Sequence, residues 1–453
     1  MEITNFLNEQ YSDSALYMTY RNISSYIDGL KNSGRKAVYI CKKQNIKSQI
    51  KVSALGSKIV EGAGYLHADT AIQGSIITLA QNFCGANNLP ILEPIGSFGT
   101  RHIPEAAAPR YIFTKPKDYF DELFRKEDDL NLNKQEFEGS EIEPVFYVPT
   151  LPMLLVNGSN GIGVGFSSNI LARKLENIIK IVDNYLHNKR SEDDLFKPYW
   201  NGFDGEVNYL GDNKWQIKGK VELNGKKLLI KEIPISWSLP KYKEKLSKSK
   251  EKCFIEKYTD LSENDKFIFE VKLTDKESQK PLEDIMKDLG LIEVITENLV
   301  CIDENNSIRE FNSIKDIFDD YCKIKKEFFN KRIKSEINRL EYELSYLQNC
   351  FNFVTEVVEG KINILLKKTE VEKILKDRNY NFIDKLLSMP IYSLTSDKII
   401  ELNKKMENKY LELEAMKKET PISLWKKDLK ELEKKLNGQN ENINICRTYS
   451  CAS

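Results

Sequence analysis

The hydrophobic pattern changes character along the chain, and the clearest signal comes late. Beyond Ser313, Ile314, Phe318, Tyr321, Phe328, Leu340, Leu344, Leu347 and Phe351 recur mostly at three-, four- and seven-residue steps among charged residues, the mark of a long amphipathic helix. Ile399, Leu402, Met406, Leu413 and Met416 repeat that pattern, and Pro421 interrupts it before Leu429, Leu432 and Leu436. Two long helices with a shorter stretch between them predict an antiparallel coiled coil carrying a small globule, residues 355–393, at its tip. The preceding region, from Asp204 to about Val300, alternates short strand-like runs with helices and predicts an α+β domain. Its strand candidates are 207–210, 215–217, 228–233 and 267–271. A further helix is expected over Leu175–His187.

The N-terminal part reads as helices from Ser14 to Cys41 broken by a turn at Asp28-Gly29, with a third helical segment near 49–55 and another over 71–83. Residues 90–101 read as a loop, in which Gly96 and Gly99 allow close backbone approach to a ligand. The acidic stretch Asp121–Glu141 is expected to be a surface excursion. Expected boundaries are 1–165, 166–308, 309–436 and a flexible tail at 437–453.

Charge adds a local feature to this plan. The chain carries 68 cations and 68 anions, so no global field draws it to nucleic acid. Between Lys31 and Lys51, however, Lys31, Arg35, Lys36, Lys42, Lys43, Lys47 and Lys51 occur with no acid among them. Short helices with basic faces are how helix-turn-helix folds meet phosphates. A solvated surface face is the usual fate of such a run.

Eight cysteines are scattered without a Cys-x-x-Cys, which fits reduced thiols, and with three histidines a zinc site is hard to assemble, so no metal ligands are expected in this chain. No apolar run approaches the about 18 residues of a membrane span, and the N-terminus lacks a signal-peptide pattern. A soluble protein of the cytoplasm is expected, the host's if the source is viral.

Candidate chemistry centres on Arg110-Tyr111, set behind the small residues Ala106–Ala108. A phenol with an unperturbed pKa of about 10 is a weak nucleophile and needs cationic neighbours when it attacks a phosphate. His67, just before the 71–83 helix, is either a structural residue or a participant. The glycine-rich stretch Asn157–Gly165 lacks the Lys-Ser/Thr of a P-loop and the dinucleotide spacing, so tight turns explain it better. Leu151, between Pro149 and Pro152, has the rigidity of an apolar wedge that enters a base step, although a core leucine is the commoner use.

Several motifs in one order resemble the breakage-reunion part of type IIA DNA topoisomerases. Asp28-Gly29-Leu30-Lys31-Asn32-Ser33-Gly34-Arg35-Lys36 resembles the family's Asp-Gly-Leu-Lys-Pro-x-x-Arg-Lys, and residues 65–69 resemble its Tyr-His-His-Gly-Glu. Phe98-Gly99-Thr100-Arg101, residues 106–114 and 149–165, and the returning helix with Trp425 keep the family's order. Leu66, Ala68, Asn32 and Gly34 depart from it. By size and extent the chain looks closest to the medium subunit of T4-like phage topoisomerases, whose ATPase and TOPRIM modules reside on separate chains.

The resemblance implies a multidomain α+β fold: a winged-helix cleavage domain, an α/β tower, and the coiled coil with a helical exit-gate globule. It implies a transient double-strand break through a 5′-phosphotyrosine at Tyr111, with Arg110, Arg35 and His67 around the phosphate. Lys31, Lys36, Lys42, Lys43, Lys47, Lys51 and Arg101 would bind DNA, with Thr150 or Leu151 as the wedge. It further implies a homodimer acting on double-stranded DNA, with Mg2+ and ATP held by the ATPase/TOPRIM partner, for relaxation and decatenation. Two other readings compete. A tyrosine recombinase or type IB enzyme would need a His-x-x-Arg, but Thr70 and Glu105 stand at that offset from His67 and His102. A coiled-coil DNA scaffold would need no catalytic tyrosine.

Overall fold

The computed structural model describes residues 3, 7, 11–263, 265–390 and 394–450. Ile391 and Ser393, at the expected far edge of the globule, and Cys451 lie outside the described residues. The chain divides into two compact units, one made of 1–325 with 428–453 and the other of 326–427.

The first unit begins with helices α1 (Ser12–Asn22), α2 (Asn32–Lys43), α3 (Val52–Gly62) and α4 (Asp69–Ala80). Interleaved with them is an antiparallel sheet of β1 (Ile50–Lys51), β2 (Leu92–Ile95) and β3 (Phe113–Pro116), in the order β1-β3-β2. Strand β2 lies inside the segment expected to be a loop. Its register pairs Ile95 with Phe113 and Pro94 with Thr114, and a four-residue strand holding a proline offers no alternation to read. Helix α2 is buried over eight consecutive residues, Gly34 to Cys41, so it has no free face. The apolar share of that burial comes from Ala37, Val38, Tyr39, Ile40 and Cys41.

The acidic stretch is only partly an excursion. It forms α5 (Phe120–Leu123) and leads into the hairpin of β4 (Gln135–Phe137) and β5 (Ser140–Ile142), yet Asp128 is buried against Lys325 at 3.3 Å. Helix α6 (Met153–Asn157) then enters the hairpin of β6 (Ser159–Ile162) and β7 (Ser167–Ile170), followed by α7 (Leu175–Leu186).

The α+β region holds two sheets. One comprises β8 (Glu206–Gly211), β9 (Lys214–Lys218) and β14 (Ile292–Thr296), ordered β14-β9-β8. The other comprises β10 (Lys220–Asn224), β11 (Lys227–Glu232), β12 (Ile255–Asp260) and β13 (Phe269–Leu273), ordered β10-β11-β13-β12, with α8 (Leu239–Glu251) and α9 (Leu282–Asp288) against it. Leu228, Ile230, Phe269 and Val271 alternate inward, where Tyr242 and Leu246 of α8 meet them. A buried Arg173–Glu297 pair at 2.6 Å, with Trp215 Nε1 donating to Glu297 at 2.9 Å, ties this region to the chain after β7. A short hairpin of β15 (Val300–Ile302) and β16 (Ile308–Glu310) precedes α10 (Ile314–Val358), whose Tyr321 hydroxyl donates to the Pro149 carbonyl at 2.6 Å.

In the second unit, α10 from Lys326 onward runs antiparallel to α13 (Ser396–Lys417). Glu343 pairs with Lys409 at 3.2 Å and Glu341 with Lys417 at 3.3 Å, so rising numbers meet falling ones. Between them α11 (Lys368–Asp377) and α12 (Ile383–Leu387) close a small core of Phe353, Val354, Ile362, Val371, Leu375 and Leu386. Helix α14 (Pro421–Ser450) starts at Pro421, where the fixed φ of proline suits the first turn. Its backbone stays helical to Ser450, into the stretch expected as a flexible tail.

Candidate functional site

The loop between β2 and β3 is held at several points by its own backbone. Ala107 N donates to Ser97 O at 2.9 Å, and Tyr111 N to Ala108 O at 2.9 Å, forming the turn that presents the tyrosine. The start of α3 pins both flanks, because Ser53 N donates to Pro109 O and Val52 N to Ile112 O. Ile112 is buried while its neighbour Tyr111 is 67% exposed. The Arg110 guanidinium lies over the Tyr111 ring, 4.8 Å from its centroid. A cation against an exposed phenol is where an anionic phosphate would be steadied as the oxygen reaches it.

His67 stands in a separate small cluster. Its Nε2 is 2.6 Å from the Tyr17 hydroxyl, and its ring meets Tyr65 edge-on at 5.4 Å. Burial, and secondly the Arg21 guanidinium, hold its pKa below the usual 6.5, which favours a neutral imidazole.

Most residues expected to touch DNA are turned inward. Arg35 donates to both carboxylate oxygens of Asp28, at 2.8 and 3.2 Å, and to Leu30 O. Asp28 also accepts from the Leu30 and Tyr147 amides, so Arg35 fastens a turn. Lys36 is buried against Glu143 at 2.8 Å and Ala63 O, and Lys42 against Asp129 at 2.5 Å and Phe124 O. Arg101 is buried against Glu232 at 2.7 Å. Thr150 donates to Glu122 O at 2.6 Å, and Leu151 is fully buried. Arg35 finds its acid seven residues away, but Lys36, Lys42 and Arg101 meet acids from distant parts of the chain, which the basic run alone cannot reveal.

The remaining cations stay at the surface or near it. Lys43 lies over the Tyr39 ring at 5.0 Å, Lys47 pairs with Asp121 in the open, and Lys51 is exposed. Lys31, partly buried so that its pKa is lowered, lines a cleft of about 850 Å³. Ser75 and Thr78 of α4 and Trp237 and Lys241 also line that cleft.

An exposed apolar tip was not anticipated from the residue pattern. The β6–β7 hairpin carries Ile162 at 79% exposure, with Val164 and Phe166 also exposed. It lies against α1, where Val164 N donates to Thr19 Oγ1 at 3.3 Å, and a Cβ on Gly161 or Gly163 would collide with Asn22 or Thr19. The glycines therefore serve close packing, and the isoleucine between them is left outside. The available signal was an apolar residue flanked on both sides by glycine, which has no neighbouring side chains to join in a core.

Among the described residues no group of three or more His, Cys, Asp or Glu converges to hold a metal ion. The described residues therefore do not fit a magnesium site. No helix among them is long and apolar enough to cross a membrane.

The family model for the A-type subunits of DNA gyrase/topoisomerase IV matches residues 21–430, and the chain belongs to that family. It is 31% identical to the mitochondrial DNA topoisomerase 2 of Dictyostelium discoideum over 96% of this chain and 35% of that protein. Against DNA topoisomerase 2 of Invertebrate iridescent virus 6 it is also 31% identical, over 96% of this chain and 39% of the relative. The solved DNA-binding, cleavage and re-ligation domain of Plasmodium falciparum topoisomerase II superposes with a TM-score of 0.87 at 30% identity, covering 98% of this chain and 65% of that one. The chain thus spans about a third of the length of the curated relatives it matches.

Proposed function

We propose that this chain is the DNA-cleaving and rejoining part of an ATP-dependent type II DNA topoisomerase. The observation that carries the reading is Tyr111, exposed beside Arg110 on a loop pinned at both flanks, in a chain similar throughout to a cleavage and re-ligation domain. The Tyr111 oxygen bonds to a backbone phosphorus as the bond from phosphorus to the 3′ oxygen breaks. The phenol gives up a proton and the 3′ oxygen gains one. One phosphoester replaces another, so the step is reversible and the nick is resealed by its reverse. Arg110 neutralises the charge on the phosphate during transfer. His67 is the further candidate at the phosphate.

In this reading α2–α4 with the β1-β3-β2 sheet form the winged-helix domain, the two larger sheets the tower, and residues 326–427 the coiled coil and exit gate. Lys31, Lys43, Lys47 and Lys51 supply sequence-independent phosphate contacts, which salt weakens. Ile162, not Leu151, is the wedge, since an exposed rigid isoleucine can enter a base step and a buried leucine cannot. Magnesium ligands and the ATPase lie outside these 453 residues. Separate ATPase and TOPRIM chains of the T4-like kind are the finer form of that proposal, although the relatives named above carry this region within longer chains.

The test combines the chain with ATPase and TOPRIM portions of the topoisomerase, magnesium and end-labelled plasmid, stopped with SDS. Protein on the 5′ ends is expected for wild type and none for Tyr111→Phe. Attachment to 3′ ends, or equal attachment by the variant, refutes the assignment.

A further inference from the structure

We infer that Arg101 is a positioning residue for Tyr111, tying the tyrosine's loop to the four-stranded sheet so that both move as one when DNA fills the cleft. The inference rests on the cleavage reading of Tyr111.

Arg101 sits in the loop 96–112, ten residues before the tyrosine, and although it borders the cleft its side chain is buried and its charge is turned onto Glu232. Its Nη1 is 2.7 Å from Glu232 Oε1, and its Nη2 donates to Ile233 O at 2.9 Å. The guanidinium lies over the Phe267 and Phe203 rings, 4.7 and 5.7 Å from their centroids, and His102 packs on Phe267 at 4.7 Å. Glu232 is itself fixed, accepting from the Asp204 and Ile233 amides. The seat is therefore built on strand β11 and the residues around it, while the loop's other attachments go elsewhere. Gln81, at the end of α4, donates to Phe98 O and Pro104 O, and Ser53 holds Pro109. The loop thus bridges two bodies, the helical part that carries Tyr111 and the sheet that holds Arg101.

Stability alone does not account for an arginine here. A buried ion pair contributes little more than well-packed apolar residues of the same volume, and Arg101 Nε and His102 Nε2 find no partner among the described residues. What an ion pair adds is one defined register between the parts it joins. That register has a use in the cleft. Its lining includes Lys31, Ser75 and Thr78 from the helical part and, as a second wall by sequence segment, Ser236, Trp237 and Lys241, which follow closely on Glu232 and Ile233. A duplex pressing the second wall displaces the backbone that grips Arg101, and the loop follows.

The experiment compares wild type, Arg101→Met, Arg101→Met/Glu232→Gln and Arg101→Lys in the topoisomerase assembled with its ATPase and TOPRIM portions. Affinity for a short duplex, covalent 5′ attachment and hydrogen exchange of amides 97–112 are measured on each. The double variant leaves no unpaired buried carboxylate and guards against simple misfolding. Both methionine variants are expected to bind duplex as wild type does, to exchange faster over 97–112, and to lose roughly 10- to 100-fold in covalent attachment. Arg101→Lys, which keeps the charge, should recover part of the loss. Wild-type attachment by the double variant, unchanged exchange, or a loss of affinity parallel to the loss of attachment overturns the inference, the last because it would make Arg101 a DNA contact. Failure of the cleavage reading is distinguishable, since it appears in wild type against Tyr111→Phe without any change at Arg101. In that event exchange over 97–112 decides the tether by itself.

Discussion

Three cations of the basic stretch Lys31–Lys51 and the dipeptide Arg110-Tyr111 of the loop 96–112 meet opposite fates. In the first, the cations that look most available in sequence are drawn inside: Arg35 onto Asp28, Lys36 onto Glu143, Lys42 onto Asp129. In the second, a single dipeptide of ordinary appearance is left in the open, with Arg110 over the ring of Tyr111 and no acid paired to it among the described residues. The difference teaches that local charge density does not report surface charge. A cation's fate is decided by acids that folding brings to it, in some cases from about a hundred residues away, as Glu143 comes to Lys36. The catalytic candidate is set apart by what it lacks.

That contrast is broken most directly at Arg35. If it is structural, Arg35→Ala leaves Asp28 buried and unpaired and costs about 3–5 kcal/mol in urea denaturation. A variant of wild-type stability that binds DNA poorly would return Arg35 to the phosphate. Leu151 and Ile162 give the next largest separation. Leu151→Ala is expected to cost about 2–5 kcal/mol because it opens a cavity. Ile162→Ala stays within about 0.5 kcal/mol of wild type, as exposed positions do, while bending the bound duplex less in an end-to-end energy-transfer measurement. Equal bending by both would remove the wedge from Ile162.

The smallest effect concerns His67. Its folded pKa lies below 6.5, so the proton is held less tightly when folded, and any contribution to stability is present above that pH and lost as pH falls through the folded midpoint. Removing the nearby charge with Arg21→Gln should move the midpoint upward by NMR titration. A downward move would show that Arg21 does not face the imidazole.

The long helices were legible because their apolar period persists over many turns, enough to mark α10 and α13 and the break at Pro421. The contact of Arg110 with Tyr111 was legible because the two are adjacent in the chain. Strand β2 was not, being four residues long, and neither was the burial of Asp128 within an acidic stretch. Leu151 was singled out between two prolines, where rigidity is written in the residue types, whereas the exposure of Ile162 belongs to a hairpin whose two glycines pack closely on Asn22 and Thr19 of α1.

By itself, then, the sequence determined what depends on neighbours along the chain: helix periods, turn glycines, and the pairing of an arginine with a tyrosine. Tertiary structure alone decided which cations are spent on acids, which apolar residue meets solvent, and that Arg101 faces a sheet. Those outcomes depend on distances between residues far apart in sequence, and a linear order carries no record of such distances until the backbone has been folded.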